Sequence, residues 1–177
     1  SATEAINLSG ENSFITASVL EGATGNGGTI NIINTGDINV FDGGEIAVES
    51  LGNGEAGDLN ITAKSLNLTN DSNIDATTPL GAGGNINLTV AEDITLEDNS
   101  FISARALNNA DGGNLNINTN FVVAFPNQNN DIIANAQQGR GGNININAES
   151  IFGIQENPVL NPITNDLNAS SARGAQF

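Results

Sequence analysis

Few side chains in this sequence could carry out acid–base or nucleophilic chemistry. The 177-residue chain contains no His and no Cys, so the commonest general base and the thiol nucleophile are both missing. Adjacent carboxylates occur at Glu92–Asp93 and Glu97–Asp98, but neighbouring residues on a strand point to opposite faces. The basic residues are scattered along the chain as Lys64, Arg105, Arg140 and Arg173. This pattern predicts that the protein is not an enzyme.

Acidic side chains in two turns rich in glycine and asparagine could instead bind Ca²⁺. The turns span residues 52–58 and 108–113, and their carboxylates belong to Glu55, Asp58 and Asp111. Oxygen ligands on a flexible backbone are those that Ca²⁺ favours. Neither the nonapeptide calcium repeat nor the EF-hand pattern occurs, however. We therefore predict solvated polar turns and no cofactor, with a Ca²⁺ site as the alternative.

The charge and composition of the chain limit its partners. Twenty acidic and four basic residues give a formal net charge of −16, which repels nucleic acids and anionic membrane surfaces. No apolar run is long enough to span a membrane. The seven Phe residues are the only aromatic residues, which argues against stacking on sugars. We therefore predict no nucleic-acid partner and no membrane span.

A short phrase recurs along the whole chain. In its clearest form it reads Gly-Gly-Asn-Ile-Asn-Ile, at residues 141–146. Successive copies are 29, 27, 29 and 29 residues apart, a period typical of solenoid proteins. The glycines come directly before a strand, and glycine tolerates φ > 0, so they are predicted to form corners of the solenoid. The second small residue of each copy is Gly28, Gly57, Gly84, Gly113 or Gly142.

Within each repeat, apolar and polar residues alternate in three separate segments. In the first full repeat these segments are residues 30–32, 38–40 and 46–48. Such alternation predicts half-buried strands. The predicted fold is an all-β, right-handed parallel β-helix with three short strands and about 29 residues per coil, in about six coils. The predicted inward-pointing core residues of the first strands are Ile30, Ile32, Leu59, Ile61, Ile86, Leu88, Leu115, Ile117, Ile144 and Ile146.

The repeats form a single predicted β-helix domain over residues 1–177. The coils are predicted at residues 1–26 (partial), 27–55, 56–82, 83–111, 112–140 and 141–177. In the last coil, residues 154–165 contain two prolines, which cannot donate ladder hydrogen bonds, so this segment is predicted to be a loop inserted outside the solenoid. Neither end carries a recognisable cap, so we expect the ends to continue into neighbouring segments of a longer chain or to stack on other chains.

The same alternation aligns polar residues in outward-facing columns. Because successive coils lie about 4.8 Å apart, each side-chain amide can bond to the next one along the column. We predict that these ladders reinforce a flat polar face, and a binding platform is the alternative. The main column contains Asn31, Asn60, Asn87, Asn116 and Asn145. A neighbouring column contains Thr29, Asp58, Asn85, Asn114 and Asn143.

Several phrases resemble the repeats of filamentous-haemagglutinin-like large exoproteins, the passenger proteins of two-partner secretion. Residues 57–66 (GDLNITAKSL) and 72–76 (SNIDA) resemble an internal repeat of this family. Residues 150–155 (SIFGIQ) and 165–171 (NDLNASS) are similar to the final repeat of its cyanobacterial members. The chain therefore resembles a C-terminal β-helix repeat segment of this family over nearly its whole length.

The resemblance implies export through an outer-membrane secretion partner and a location outside the cell or on its surface. The family's N-terminal secretion domain is absent from the sequence, so the chain is expected to be a downstream rod segment. A structural or adhesive role is implied, with self-association into filaments and a surface glycan or cell receptor as partners. The family has no catalytic residues to carry over. The alternative function is a ligand-binding module for glycan, Ca²⁺ or ice, on the asparagine face or the proline-containing loop.

Overall fold

A computed structural model describes residues 4–172, which contain eighteen strands and no helix, and hence no helix that could span a membrane. Residues 1–3 of the predicted first coil and Arg173 lie outside the described residues. A partial coil contains β1 (Ile6–Ser9) and β2 (Phe14–Thr16). The next two coils contain β3 (Ile30–Ile33), β4 (Ile38–Phe41), β5 (Glu45–Ala47), β6 (Leu59–Ala63), β7 (Leu66–Thr69) and β8 (Asn73–Asp75). The following two contain β9 (Ile86–Val90), β10 (Asp93–Glu97), β11 (Phe101–Ser103), β12 (Leu115–Asn118), β13 (Phe121–Ala124) and β14 (Asp131–Ile133). The last coil contains β15 (Ile144–Asn147), β16 (Ser150–Phe152), β17 (Gln155–Glu156) and β18 (Asp166–Asn168).

Equivalent strands of successive coils pair in parallel and build three sheets. The first sheet has the order β1-β4-β7-β10-β13-β16, the second β17-β18-β14-β11-β8-β5-β2, and the third β15-β12-β9-β6-β3. The pairing matches equivalent residues, so that Leu59 lies opposite both Ile30 and Ile86. The predicted architecture is therefore confirmed as a parallel β-solenoid of about five turns, with three strands and about 29 residues per coil.

The core is a column of aliphatic side chains between the three sheets. Its fully buried part extends from Ile38 in the second coil to Ala134 in the fifth, where almost every inward residue has a neighbour above and below it. The predicted core residues that are fully buried are Leu59, Ile61, Ile86, Leu88, Leu115 and Ile117. Those that are half-buried, in the outermost strands of the third sheet, are Ile30, Ile32, Ile144 and Ile146.

The second sheet departs from simple alternation because both of its faces are covered. Ile46 points into the core as predicted, yet Ala47, which the alternation pattern places outside, is also buried. Directly after this sheet the chain makes a further stack of single bridges, for example from Ala106 to Thr78 and to Ala136. The outward side chains of the second sheet thus lie in a concave angle between the sheet and this bridge stack.

The prolines predicted that residues 154–165 lie outside the solenoid, but the first part of this segment belongs to it. After Gly153, whose φ is +74°, Ile154 packs against the core cluster. The next two residues form β17, which pairs in parallel with β18 and extends the second sheet by one strand. Only then does the chain loop back to begin β18. The segment therefore covers part of the last coil, because an apolar residue is available to cover the exposed core there.

Candidate functional site

The predicted asparagine column forms a hydrogen-bonded ladder along the third sheet. The side-chain amide of Asn60 donates to Oδ1 of Asn31 at 2.9 Å, and that of Asn87 donates to Oδ1 of Asn60 at 2.8 Å. Asn116 continues the ladder by donating to Asn87 at 3.0 Å. Each bond joins two coils, so the ladder adds a side-chain connection to the backbone pairing of the same strands.

The ladder moves to a neighbouring column in the last coil. Asn145 lies opposite Asn116 in the strand pairing. The amide bond at this step, however, joins Asn147 to Oδ1 of Asn118 at 2.8 Å, two residues further along the strands. The polar face of the third sheet therefore carries more than one usable column.

Two further ladders lie outside the predicted columns. On the first sheet, Asn39 donates to Asn7 and Asn67 donates to Asn39, each at 2.8 Å. The second lies at the corner between the first and second sheets and joins Asn99 to Asp71 and Asn129 to Asn99. A separate bond in the neighbouring column joins Asn70 to Asp42. These corner residues have φ values between 55° and 62°, which Asn and Asp tolerate better than most residues. Asn or Asp repeated one coil apart was the sequence signal for these ladders.

The predicted corner glycines do not have the positive φ values that glycine tolerates. The glycines with positive φ in residues 4–172 are Gly10, Gly22, Gly43 and Gly153. Those of the repeated phrase are required instead by the close approach of successive coils. A β-carbon would lie 1.8–1.9 Å from the carbonyl oxygen of the preceding coil's glycine at Gly57, Gly84, Gly113 and Gly142. At Gly28 it would lie 3.1 Å from the β-carbon of Ala17.

The three candidate Ca²⁺ ligands belong to different hydrogen-bonding arrangements. Oδ1 of Asp58 accepts the Asn85 amide at 2.9 Å, and Oδ1 of Asp111 accepts the backbone N–H of Arg140 at 2.7 Å. Glu55 is exposed in its turn. Within residues 4–172, no group of three or more acidic side chains is arranged to hold a metal ion.

Four carboxylates in the concave angle of the second sheet have raised pKa values. Burial raises the pKa of Asp75 to about 6, against the opposing effects of the Thr77 hydroxyl and the Arg105 charge. Burial, with the charges of Asp75 and Glu45, raises the pKa of Glu49 to about 7. Burial also raises the pKa of Glu45. Perturbed carboxylates of this kind are a general indication of a functional site.

The fourth carboxylate, Asp131, shows how such groups are used in this fold. Its pKa is raised to about 6, chiefly by burial, and its Oδ1 accepts the backbone N–H of Asp166 at 2.8 Å. Asp75 similarly accepts the Thr77 hydroxyl, which lies 3.1 Å from the Ser103 hydroxyl. Both carboxylates are thus buried and hydrogen-bonded within the fold, which favours a structural role.

Three of the seven phenylalanines gather on the outer face of the first sheet. This phenylalanine patch consists of Phe121, Phe125 and Phe152; the rings of Phe121 and Phe152 are 6.2 Å apart. Phe152 is 52 % exposed and Phe125 40 % exposed. Aromatic residues are few in the sequence, which argued against sugar stacking, but the solenoid brings Phe121 and Phe152, one coil apart, close together.

A cleft of about 330 Å³ lies beside the phenylalanine patch. It occupies the corner between the first and second sheets, where the last two coils are longer than the others. Ile94 and Ile102 are eight positions apart, but the equivalent pairs Val122 and Ile132, and Ile151 and Leu167, are ten and sixteen apart. We call this space the corner cleft; it is lined by Pro126, Asn127, Gly153, Ile154, Gln155, Thr164 and Asn165.

Asn165 fixes the shape of the corner cleft. Its amide donates to the carbonyl of Phe125 at 2.8 Å and to that of Gly153 at 2.7 Å. Its Oδ1 accepts the backbone N–H of Asn130 at 2.8 Å. One buried side chain therefore ties both lengthened corners together, so the corner cleft is held by the fold itself.

Comparison of the chain with protein-family models, curated proteins and solved structures finds no match.

Proposed function

We propose that the protein is a structural and adhesive rod that acts outside the cell, on its surface or in extracellular filaments. The observation that carries this function is the continuous parallel pairing of all three sheets, reinforced by side-chain ladders such as Asn31–Asn60–Asn87–Asn116. A solenoid in which each coil contacts only its neighbours is a stiff, extended element suited to spanning a distance.

The surface chemistry supports a passive role rather than catalysis. The chain has no His or Cys, and the buried carboxylates Asp75 and Asp131 are engaged in contacts within the fold. A formal net charge of −16 keeps such a rod soluble and disfavours nucleic-acid partners. We propose that it functions without enzymatic activity and without a cofactor.

Self-association and export complete this proposal. Strands β1, β2 and β3 at one end of the described region, and β15, β16 and β17 at the other, each have a paired neighbour on one side only. Parallel pairing with a second chain, or with neighbouring segments of a longer chain, would satisfy the backbone groups at these edges. The resemblance to filamentous-haemagglutinin-like exoproteins adds right-handed winding and export through an outer-membrane partner.

Electron microscopy and an adhesion assay test the two parts of this function. In negative stain we expect short stiff rods or end-to-end filaments, both with and without a calcium chelator. Beads coated with the chain should be retained on cell surfaces under flow, and beads coated with the heat-unfolded chain should not. Particles without a rod-like shape would contradict the proposal that the protein is a stiff rod. Equal retention of both bead types would contradict the proposal that the folded chain is adhesive.

The corner cleft gives a second candidate function, that of a ligand-binding module. The observation that favours it is the pairing of an exposed phenylalanine patch with a preformed polar space at the same corner.

A further inference from the structure

We propose that the corner cleft binds a neutral saccharide chain, with a sugar ring stacked on Phe152 and its hydroxyls bonded to the amides of Asn127 and Gln155. Such binding presupposes the proposed adhesive role and assigns that role a ligand class and a site.

The corner cleft lies where the solenoid departs from its own repeat. The corners between the first and second sheets keep the same length in the second, third and fourth coils, and the two enlarged corners that follow lie directly on one another. The enlargement builds a concavity where a regular corner would leave a ridge. Loops carried on a rigid scaffold are where binding residues are most often found.

One outward column of the first sheet changes from amide side chains to apolar and aromatic ones. The column begins with the bonded amides of Asn7, Asn39 and Asn67 and ends with Val123 and Phe152. Packing of the core does not require this change, because the column faces outward. An aromatic ring that stays about half exposed on a soluble rod offers a flat apolar surface to a ligand.

The polar side chains of the corner cleft differ in whether they are already hydrogen-bonded within the fold. Within residues 4–172, the side-chain amides of Asn127 and Gln155 form no hydrogen bond or ion pair. Both therefore remain available to a ligand, whereas Asn165 is fully used in holding the two corners. A few oriented polar groups beside an apolar surface, in a preformed cleft, are typical of small-ligand sites.

Charge decides which saccharides fit. None of the cationic residues in the described region, Lys64, Arg105 and Arg140, lines the corner cleft. A carboxylated or sulfated sugar would therefore find no counter-ion on a chain whose net charge is −16. Amide groups and an aromatic ring suit the hydroxyls and C–H faces of an uncharged sugar.

The test is a binding screen of the whole chain against immobilised β-glucan, galactan and mannan oligosaccharides, with sulfated and carboxylated glycans at equal density. Calorimetric titration with the best neutral oligosaccharide then follows. We expect Phe152→Ala to weaken binding by about tenfold or more. Asn127→Gly should also weaken it and keeps the left-handed backbone, whose φ is +61°.

Two matched variants separate the site from general effects on folding. Phe14→Ala removes a ring that is 60 % exposed on the second sheet, and Asn108→Gly replaces another left-handed asparagine. Both should bind like the parent chain. Preference for acidic glycans, no binding of any neutral glycan, equal binding by Phe152→Ala, or a dimer formed through the phenylalanine patch would each overturn the inference. If beads are still retained on cells in those cases, the adhesive role stands and only the corner cleft is excluded as its site.

Discussion

The carbonyl oxygen of Gly57 lies 1.9 Å from the position that a β-carbon on residue 84 would occupy. Gly84→Ala must therefore push two coils apart, and we expect it to lower the free energy of unfolding by about 3 kcal/mol or more. Guanidinium titration measures the change. Gly25→Ala is the matched control because nothing lies within 4 Å of its β-carbon position. Equal stability of the two variants would contradict the close-approach explanation.

The asparagine ladder should contribute measurably to stability. Asn87 donates to Asn60 and accepts from Asn116, so Asn87→Ala removes two bonds at once. We expect a loss of about 1–2 kcal/mol in the free energy of unfolding, measured by denaturant titration. Asn53→Ala, in an exposed turn, is the control and should change stability little. If both substitutions have the same effect, the ladder is a consequence of strand pairing and not a contribution to it.

Stability should fall as the pH rises past the pKa of Asp75. Burial raises this pKa from 3.8 to about 6, so the folded chain holds a proton that the unfolded chain has already released. The contribution is therefore fully present below about pH 4 and is lost as the pH rises through 6. Asp75→Asn should be more stable than the parent chain at pH 8 by about 2–3 kcal/mol and equal to it at pH 3.5.

Thermal unfolding at several pH values measures this difference. The groups around Asp75 that must be kept constant are Glu45, Glu49 and Arg105. Asn53→Ala, in an exposed turn, changes no titratable group, so it serves as the control and should follow the parent chain. An Asp75→Asn curve parallel to that of the parent chain at every pH would show that this carboxyl is charged in the folded state.

Loss of the Asn165 side chain should loosen the corner cleft before it unfolds the rod. Asn165 is 4 % exposed, and Asn165→Ala leaves the carbonyl of Gly153 and the N–H of Asn130 without their partner. The carbonyl of Phe125 loses one of its two donors and keeps the Asn130 amide. We expect a loss of about 2–4 kcal/mol and faster hydrogen exchange at Asn130. Gln155→Ala is the control on the same corner. Unchanged exchange at Asn130 in Asn165→Ala would contradict this role.

The fold could be predicted because the repeat period and the alternation of apolar and polar residues can both be read directly from the sequence. A fixed period places Leu59 opposite Ile86, and alternation decides that both point inward. Neither inference needs knowledge of distant contacts. The burial of Ala47 could not be predicted in this way, because it depends on the angle between a sheet and the bridge stack that follows, which alternation does not encode.

The candidate site was harder to predict because it depends on how one coil packs on the next. Phe125 and Phe152 come from different coils, and only the pairing of β13 with β16 brings their surroundings together. A length signal was nevertheless present in the sequence, since Val122 and Ile132 are two positions further apart than Ile94 and Ile102. The departure from the repeat length, and not the repeat itself, was thus the sequence feature that marked the corner cleft.

Because each coil pairs only with adjacent coils, the length of the rod can change by one coil spacing at a time. If a coil between β6 and β11 were duplicated or deleted, each remaining strand would still lie beside equivalent strands, so the parallel pairing would be unchanged. Each such event would shift the corner cleft relative to the opposite end by about 4.8 Å. The reach of the molecule can therefore be altered in single graduations while the chemistry at its tip stays the same.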